Sequence, residues 1–316
     1  MAKKEIFTFL SDDNKTEIHA VKWLPESGEY TAVVQIVHGM IEYVERYEEF
    51  ASYMTERGYL VVGHDHLGHG DSVGSTEDWG YIAEENSDGH MIEDMHKLRL
   101  MTEKENPGMP YFMLGHSMGS YLLRKYITQY GNGLSGALIV GTGSVPDIAT
   151  KAGMQMAKCM ARFKGWRYRS KFVEKLFFSG AYNKFSMDGK DLENNWLTKD
   201  LDIAAKYYGE PKCSFRFTLN GYYTVMKVVC YDNQSKNTAR IPKDLPIILL
   251  SGADDPVGNM SKGVLLVKKQ LEEAGIKDLS CKLYENDRHE ILNETDRGVV
   301  YRDILKWCET RKSPKA

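Results

Sequence analysis

No run of apolar residues in this chain approaches the ~20 that a membrane-spanning helix needs. The longest are strand-sized, such as residues 247–250. Cysteine is scarce: Cys159, Cys213, Cys230, Cys281 and Cys308 make an odd set of five with no C-x-x-C pair. Neither a disulfide framework nor a structural zinc site is therefore expected, and the thiols read as reduced. A basic excess is also missing. The 41 lysines and arginines are outnumbered by 44 acidic residues, for a net charge of -3, which argues against a nucleic-acid partner. No Gly-x-x-x-x-Gly-Lys loop is present to cradle a polyphosphate. No apolar stretch follows Met1-Ala2-Lys3-Lys4, so no signal peptide is expected and the chain is assigned to the cytoplasm. Internal repeats and low-complexity tracts are absent, and the tail 312–316 is expected to fray.

What remains is 316 residues, 42% of them hydrophobic, enough for one large core with a smaller appendage. Residues 6–10, 17–24 and 32–37 read as strands, the first two as a hairpin around Asp12-Asp13-Asn14. A helix is expected over 45–57, then a strand at 59–63, a helix at 87–105, a strand at 111–114, a helix at 120–130 and a strand at 136–140. Strand signals then vanish until 245, and the stretch between is helical in character and dense in Met, Phe, Tyr and Trp. Alternation resumes with a strand at 245–250, a helix at 261–274, a strand at 279–284 and a helix at 295–310. Short buried strands alternating with helices predict a parallel sheet covered on both faces. The expected organisation is an α/β core from 1–145 and 241–316, interrupted by a helical insertion over 146–240.

Gly-x-Ser-x-Gly occurs twice, at 115–119 and at 70–74. With 28 glycines in 316 residues, about 0.8% of serines would meet this pattern by chance, so context must decide. A nucleophile elbow needs a buried strand leading in and a helix leading out, with glycines where side chains would collide. Ser117 follows Tyr111-Phe112-Met113-Leu114 and precedes Leu122, Leu123, Tyr126, Ile127 and Tyr130, an apolar face at helical spacing. Ser72 sits in a polar loop with neither flank. Ser117 is the expected nucleophile.

A serine hydroxyl needs a base. His64, His66 and His69 cluster in a Gly-rich loop, but their spacing matches no metal-ligand pattern, and no metal is expected. His289 lies between the last strand and the last helix, where the chain order Ser, Asp, His of such elbows puts the base. The orienting carboxylate should follow the penultimate strand. Asp254 and Asp255 both do; Asp255, stiffened by Pro256, is preferred, leaving Asp254 as a solvated turn residue. Two N–H donors for an oxyanion are expected from Met118, next to the nucleophile, and from Met40, after the strand ending Val37-His38-Gly39.

These blocks resemble a known group. His38-Gly39-Met40-x-Glu42 with Arg46-Tyr47, Asp65-His66-x-Gly68-His69-Gly70-x-Ser72, Gly115-His116-Ser117-Met118-Gly119, and His289-Glu290 with Asn293-Glu294 are similar to segments of monoglyceride lipases and bacterial lysophospholipases. That group is the serine aminopeptidase S33-type branch of the α/β-hydrolase superfamily. The resemblance implies the α/β-hydrolase fold, with a mostly parallel sheet of about eight strands, helices on both faces, and a variable helical cap over 146–240. It further implies that the Asp65 loop, with Ser72, is architectural and braces the His38 loop. One departure is Met40-Ile41-Glu42-Tyr43, where the group often has a small residue and His.

The expected chemistry is cleavage of a carboxylic ester through an acyl-enzyme, with no cofactor. Met and aromatic residues of the insertion suggest an apolar acyl chain, so lipid-like monoesters such as monoacylglycerol or lysophospholipid lead. Short-chain or aryl esters, an aminopeptidase activity and a catalytically inactive small-ligand binder are the alternatives. Transient contact of the cap with a membrane surface and the oligomeric state stay open, since no basic amphipathic helix marks the first.

Overall fold

The structure is a computed structural model that describes residues 2–312; of the tail expected to fray over 312–316, residues 313–316 lie outside the described residues, and Lys312 pairs with Glu309 at 2.7 Å. Eight strands form one sheet: β1 (Lys3–Leu10), β2 (Glu17–Leu24), β3 (Ala32–Val37), β4 (Tyr59–His64), β5 (Tyr111–His116), β6 (Gly136–Val140), β7 (Ile247–Gly252) and β8 (Leu279–Tyr284). Their spatial order is β1-β2-β4-β3-β5-β6-β7-β8. β2 runs antiparallel to both β1 and β4, and every later pairing is parallel. The β1–β2 turn forms where Asp13 Oδ1 accepts the Lys15 and Thr16 N–H groups, both at 2.8 Å.

The apolar strand residues divide with period two. Val33, Val37, Tyr111, Met113, Ala137, Ile139, Ile247 and Leu249 enter one core. Val34, Ile36, Phe112, Leu114, Leu138, Val140, Ile248 and Leu250 enter another on the opposite face. Helices α2 (Ser87–Glu105), α3 (Met118–Tyr130) and α9 (Lys262–Glu273) cover the first face through Met95, Leu122 and Val267. Helices α1 (Glu48–Thr55) and α10 (Arg297–Glu309) cover the second through Phe50, Met54, Ile304 and Trp307. Burial on both faces explains why β3 to β7 read as apolar runs instead of alternating.

Between β6 and β7 lie α4 (Asp147–Lys164), α5 (Lys171–Phe177), α6 (Leu201–Gly209), α7 (Leu219–Asp232) and α8 (Ser235–Thr238). α7 differs in kind from the others. Its Tyr222, Val225, Val228 and Val229 join the same core as α3. Its Lys227 shares Asp88 of α2 with Lys125 of α3.

Among the boundaries that depart from the sequence expectation, three bear on the site. The helix expected over 45–57 is a 3-10 turn, Val44–Tyr47, followed by α1, because Arg46 and Tyr47 are drawn inward to buried carboxylates. β5 runs two residues further, since Gly115 and His116 still pair with Ile139 and Val140. α3 then starts at Met118, so the whole strand-to-helix turn is compressed into Ser117. All five cysteines are free, and among the described residues no helix is long and apolar enough to cross a membrane.

Candidate active site

In the sheet β3 lies between β4 and β5, so chain excursions leave β3 in opposite directions, the arrangement that opens a crevice at the carboxyl ends of the strands in open α/β sheets. Ser117 sits there with φ 53° and ψ -120°, a left-handed conformation that costs a non-glycine residue energy. Its N–H is held by the Val140 carbonyl at 3.0 Å. Both flanking glycines are sterically required. A Cβ on Gly115 would lie 2.4 Å from the Gly119 carbonyl oxygen, and one on Gly119 would lie 2.0 Å from the Val37 oxygen. On Gly39 it would lie 2.9 Å from Ser117 Cβ, so the loop after β3 is packed directly on the serine. Met40 follows Gly39 and Met118 follows Ser117, and among the described residues neither of their N–H groups has an acceptor. The next residue, Ile41, turns the loop back with φ 59°.

The loop after β7 brings Asp255 to the end of the sheet, fully buried. Its Oδ1 accepts the Val257 N–H at 2.8 Å. Its Oδ2 faces His289 Nδ1 at 3.0 Å and accepts Ser251 Oγ at 3.3 Å. Asp254 points to solvent, with its N–H on the Asp287 carbonyl at 2.9 Å. The His289 ring lies 4.7 Å from the ring of His116, the residue before Ser117. Gly141, at the end of β6, leaves the room for this approach: a Cβ there would sit 3.1 Å from His289 Cε1 and 3.3 Å from His116 Cδ2. The structure therefore pairs Asp255 with His289, lays the His289 ring beside His116, the residue before Ser117, and seats Gly39, the residue before Met40, against Ser117. The Ser117 hydroxyl makes no hydrogen bond to a described residue, so its contact with the imidazole is not closed here. Such bonds are often long before substrate binds.

Behind the crevice lies a buried charged network that the sequence did not reveal as one unit. Arg46 binds Glu290 with two nitrogens, each at 2.7 Å, and Glu42 at 2.9 Å. Glu42 Oε1 also accepts the Gly39 N–H at 2.5 Å and the Tyr47 hydroxyl at 3.0 Å, and faces His116 Nδ1 at 3.0 Å. Two carboxylates meet one guanidinium, and the His116 ring lies against Glu42 on the other side. Burial disfavours its imidazolium, but the hydrogen bond and charge of Glu42 outweigh that and raise its pKa. Burial likewise opposes ionisation of Glu42 and Glu290, yet His116 and Arg46 hold both below the usual carboxylate range. The loop after β3, the elbow and the residue after His289 are tied together by this one network.

Ser72 is buried, and its hydroxyl accepts the His19 N–H at 2.9 Å. Asp65 accepts the Val44 and Asp71 N–H groups at 2.8 Å each, and the His66 N–H donates to His38 Nε2 at 2.9 Å. The loop containing Ser72 thus braces the His38 loop. His38, His64, His66 and His69 are packed ring to ring in the interior, and desolvation keeps them neutral, with His38 and His64 lowered to about 3 and His69 to about 4. Among the described residues only His19, Glu45 and Asp71 bring three metal-ligating atoms within 4.8 Å, and Lys4 and Lys212 already pair with the two carboxylates.

The sequence reading missed Trp196. Its indole stacks on the His289 imidazole, centroids 5.0 Å apart and planes 25° from parallel. No local pattern marks it, because the two residues lie far apart in the chain and meet only through the tertiary fold.

The comparisons agree with this architecture. A family model described as "Serine aminopeptidase, S33" matches residues 28–296. The monoglyceride lipase of Homo sapiens is 26% identical, over 92% of this chain and 86% of its own length. The monoacylglycerol lipase of Mycolicibacterium smegmatis is 22% identical, over 90% of each chain. A solved structure of a highly thermostable carboxyl esterase from Bacillus coagulans, in complex with glycerol, superposes with a TM-score of 0.88 at 28% identity, over 98% of this chain and 99% of that one. With its eight-stranded sheet and a family match across most of its length, the chain belongs to the serine aminopeptidase S33 family, as an α/β-hydrolase of the ester-cleaving, monoglyceride lipase-like branch.

Proposed function

We propose that this protein hydrolyses lipid-like carboxylic monoesters through an acyl-enzyme on Ser117. The observation that carries the reading is the buried Asp255–His289 pair at 3.0 Å, set beside His116, the residue before a strained serine. In this reading Ser117 Oγ attacks the ester carbonyl and His289 accepts its proton. Asp255 holds the imidazole tautomer and stabilises the imidazolium. The Met40 and Met118 N–H groups bind the oxyanion, with Met118 helped by its place at the start of α3. The alcohol leaves with the proton from His289, and water repeats the sequence on the acyl-enzyme. No cofactor takes part in any of these steps.

The segment 146–240 is proposed as the cap, with α7 as its base on the core. An apolar acyl chain is supported by the aromatic residues that run from the cap to His289: Phe178 meets Trp196 at 6.1 Å and Tyr182 meets it at 5.5 Å. On the outer side Ile148, Phe163 and Phe172 are 64–85% exposed, which supports transient contact with a lipid surface. A fluorophosphonate probe tests the reading. It should label the wild type and leave Ser117→Ala unlabelled. Labelling that survives the substitution would move the nucleophile elsewhere.

A further inference from the structure

The base of a serine hydrolase must hold its ring in one plane while its charge changes, and a carboxylate on Nδ1 restrains only one edge. The rest of the support here comes from the cap. Residues 193–199 leave the insertion and lie along the loop that carries His289. Asn195, fully buried, shapes this strap: its Oδ1 accepts the Leu197 and Thr198 N–H groups at 2.8 and 3.0 Å, and its Nδ2 donates to the Leu192 and Thr198 carbonyls. The strap is then stitched to the histidine loop from both sides. Arg288 donates to the carbonyls of Asn195 at 2.6 Å and Glu193 at 2.9 Å. The Glu290 N–H donates to the Leu197 carbonyl at 2.7 Å, and the Thr198 hydroxyl to the Asn293 carbonyl at 2.9 Å. Lys199 reaches Asp287 at 2.7 Å. The residue these bonds fix in place is Trp196.

We propose that Trp196 is a positioning residue for His289: the strap lays its indole on the imidazole, sets the plane of the ring, and supports the imidazolium that forms during turnover. This rests on the reading of His289 as the base of Ser117. The physical case has three parts. The indole is 9% exposed and the imidazole 1%, so each is the other's wall. The 25° interplanar angle presents the π face of the indole to a ring that becomes cationic, an attraction that is largest for tryptophan and grows when water is excluded. Finally, Trp196 is itself held edge-on by Tyr182, 67° between planes, so it cannot follow a swinging imidazole. The charged and titratable groups facing this stack are Asp255 on Nδ1, His116 with Glu42 behind it on the β5 side, Glu290 and Arg288 on the histidine loop itself, and the Tyr182 phenol from the cap.

Two measurements on the full chain test the proposal. An imidazolium quenches a stacked indole, so wild-type tryptophan emission should fall as pH is lowered. The midpoint should coincide with the acid limb of kcat/KM. The transition should disappear in both Trp196→Phe and His289→Gln. Identical fluorescence titrations of wild type and His289→Gln would overturn the stack. Kinetically, Trp196→Ala should lower kcat ~10- to 100-fold, the size expected when a reacting group is misplaced by about 1 Å, with KM changed less than about 3-fold. Trp196→Phe should recover most of kcat, with the acid limb of kcat/KM lying between those of the wild type and Trp196→Ala. A Trp196→Ala variant that folds and raises KM alone would make the indole a substrate wall and overturn the positioning role. If that variant does not fold, the Trp196→Phe rescue and the fluorescence titration still decide. Failure of the folded wild type to take a fluorophosphonate would instead remove the Ser117 reading, a result separable from loss of the fluorescence transition.

Discussion

A serine can be placed for reactivity or for support, and the two copies of the same five-residue pattern in this chain present their serines differently. Ser117 has a left-handed backbone and a hydroxyl without a partner, whereas the hydroxyl of Ser72 is spent on the His19 N–H. Ser117→Ala should therefore abolish ester turnover by several orders of magnitude with little change in stability. Ser72→Ala should do the reverse: kcat within about 3-fold of wild type, and a loss of about 1–3 kcal/mol in urea unfolding, because a buried N–H loses its acceptor. The distinction was legible in the sequence, since only Ser117 has a buried strand before it and an apolar helix face after it. The fate of the histidines was less so. His64, His66 and His69 stand in a Gly-rich loop with no metal-ligand spacing, and nothing in that spacing shows that the interior packs them as neutral rings. His64 has both ring nitrogens buried without a partner. Its folded pKa is lowered to about 3 by desolvation, while the unfolded chain titrates near 6.5. Protons thus bind preferentially to the unfolded chain below that value, and the His64 contribution to stability is present above pH 6.5 and lost as pH falls toward 3. Replacing it by leucine removes this penalty. Going from pH 8 to pH 5, His64→Leu should gain ~2 kcal/mol on the wild type in denaturant unfolding, from 1.36 kcal/mol per pH unit. An equal difference at the two pH values would show that the imidazole is not buried neutral.

Elements are positioned at this site by charge as much as by apolar packing. The His-Gly loop, the elbow and the residue after His289 stand far apart in the chain, and each was visible as a motif. Their connection through Arg46 was not, because a motif shows which residues recur together and not which carboxylate reaches which guanidinium. The same limit explains the misplaced start of the helix after β3. Its apolar spacing was read correctly, but the inward pull on Arg46 and Tyr47 makes the first turn 3-10. Arg46→Met should leave Glu42 and Glu290 buried with no guanidinium between them. A loss of about 3–5 kcal/mol is expected, as for other broken buried ion pairs. Adding Glu290→Gln restores the charge balance and should recover part of it in a double-mutant cycle. Full additivity of the two substitutions would mean that the ion pair does not hold the histidine loop to the β3 loop.

At the scale of the whole molecule, the sheet accounts for the position of the crevice and the insertion accounts for its walls. The core was readable because β3 to β7 are buried on both faces and a helix follows each of β3, β4 and β5 in turn. The insertion was readable only as helical and aromatic, since its fold is set by contacts with the core: α7 packs on α3, and the strap 193–199 follows the histidine loop. In the proposed function, substrate length is decided by these walls. Polar triad geometry is indifferent to the acyl chain, whereas each methylene buried along apolar side chains contributes ~0.8 kcal/mol, close to a fourfold gain in binding. Where the cap lines the acyl channel, kcat/KM for p-nitrophenyl esters should rise steadily from two carbons to about eight or more, and the rise should flatten once the chain outruns the lining. Smaller side chains at Phe177 and Phe178 should shift that plateau without changing the rate on the acetate. A profile that falls from two carbons onward would replace the lipid-like ester with a short-chain one, and turnover confined to an aminoacyl amide would place the protein among the peptidases of its family.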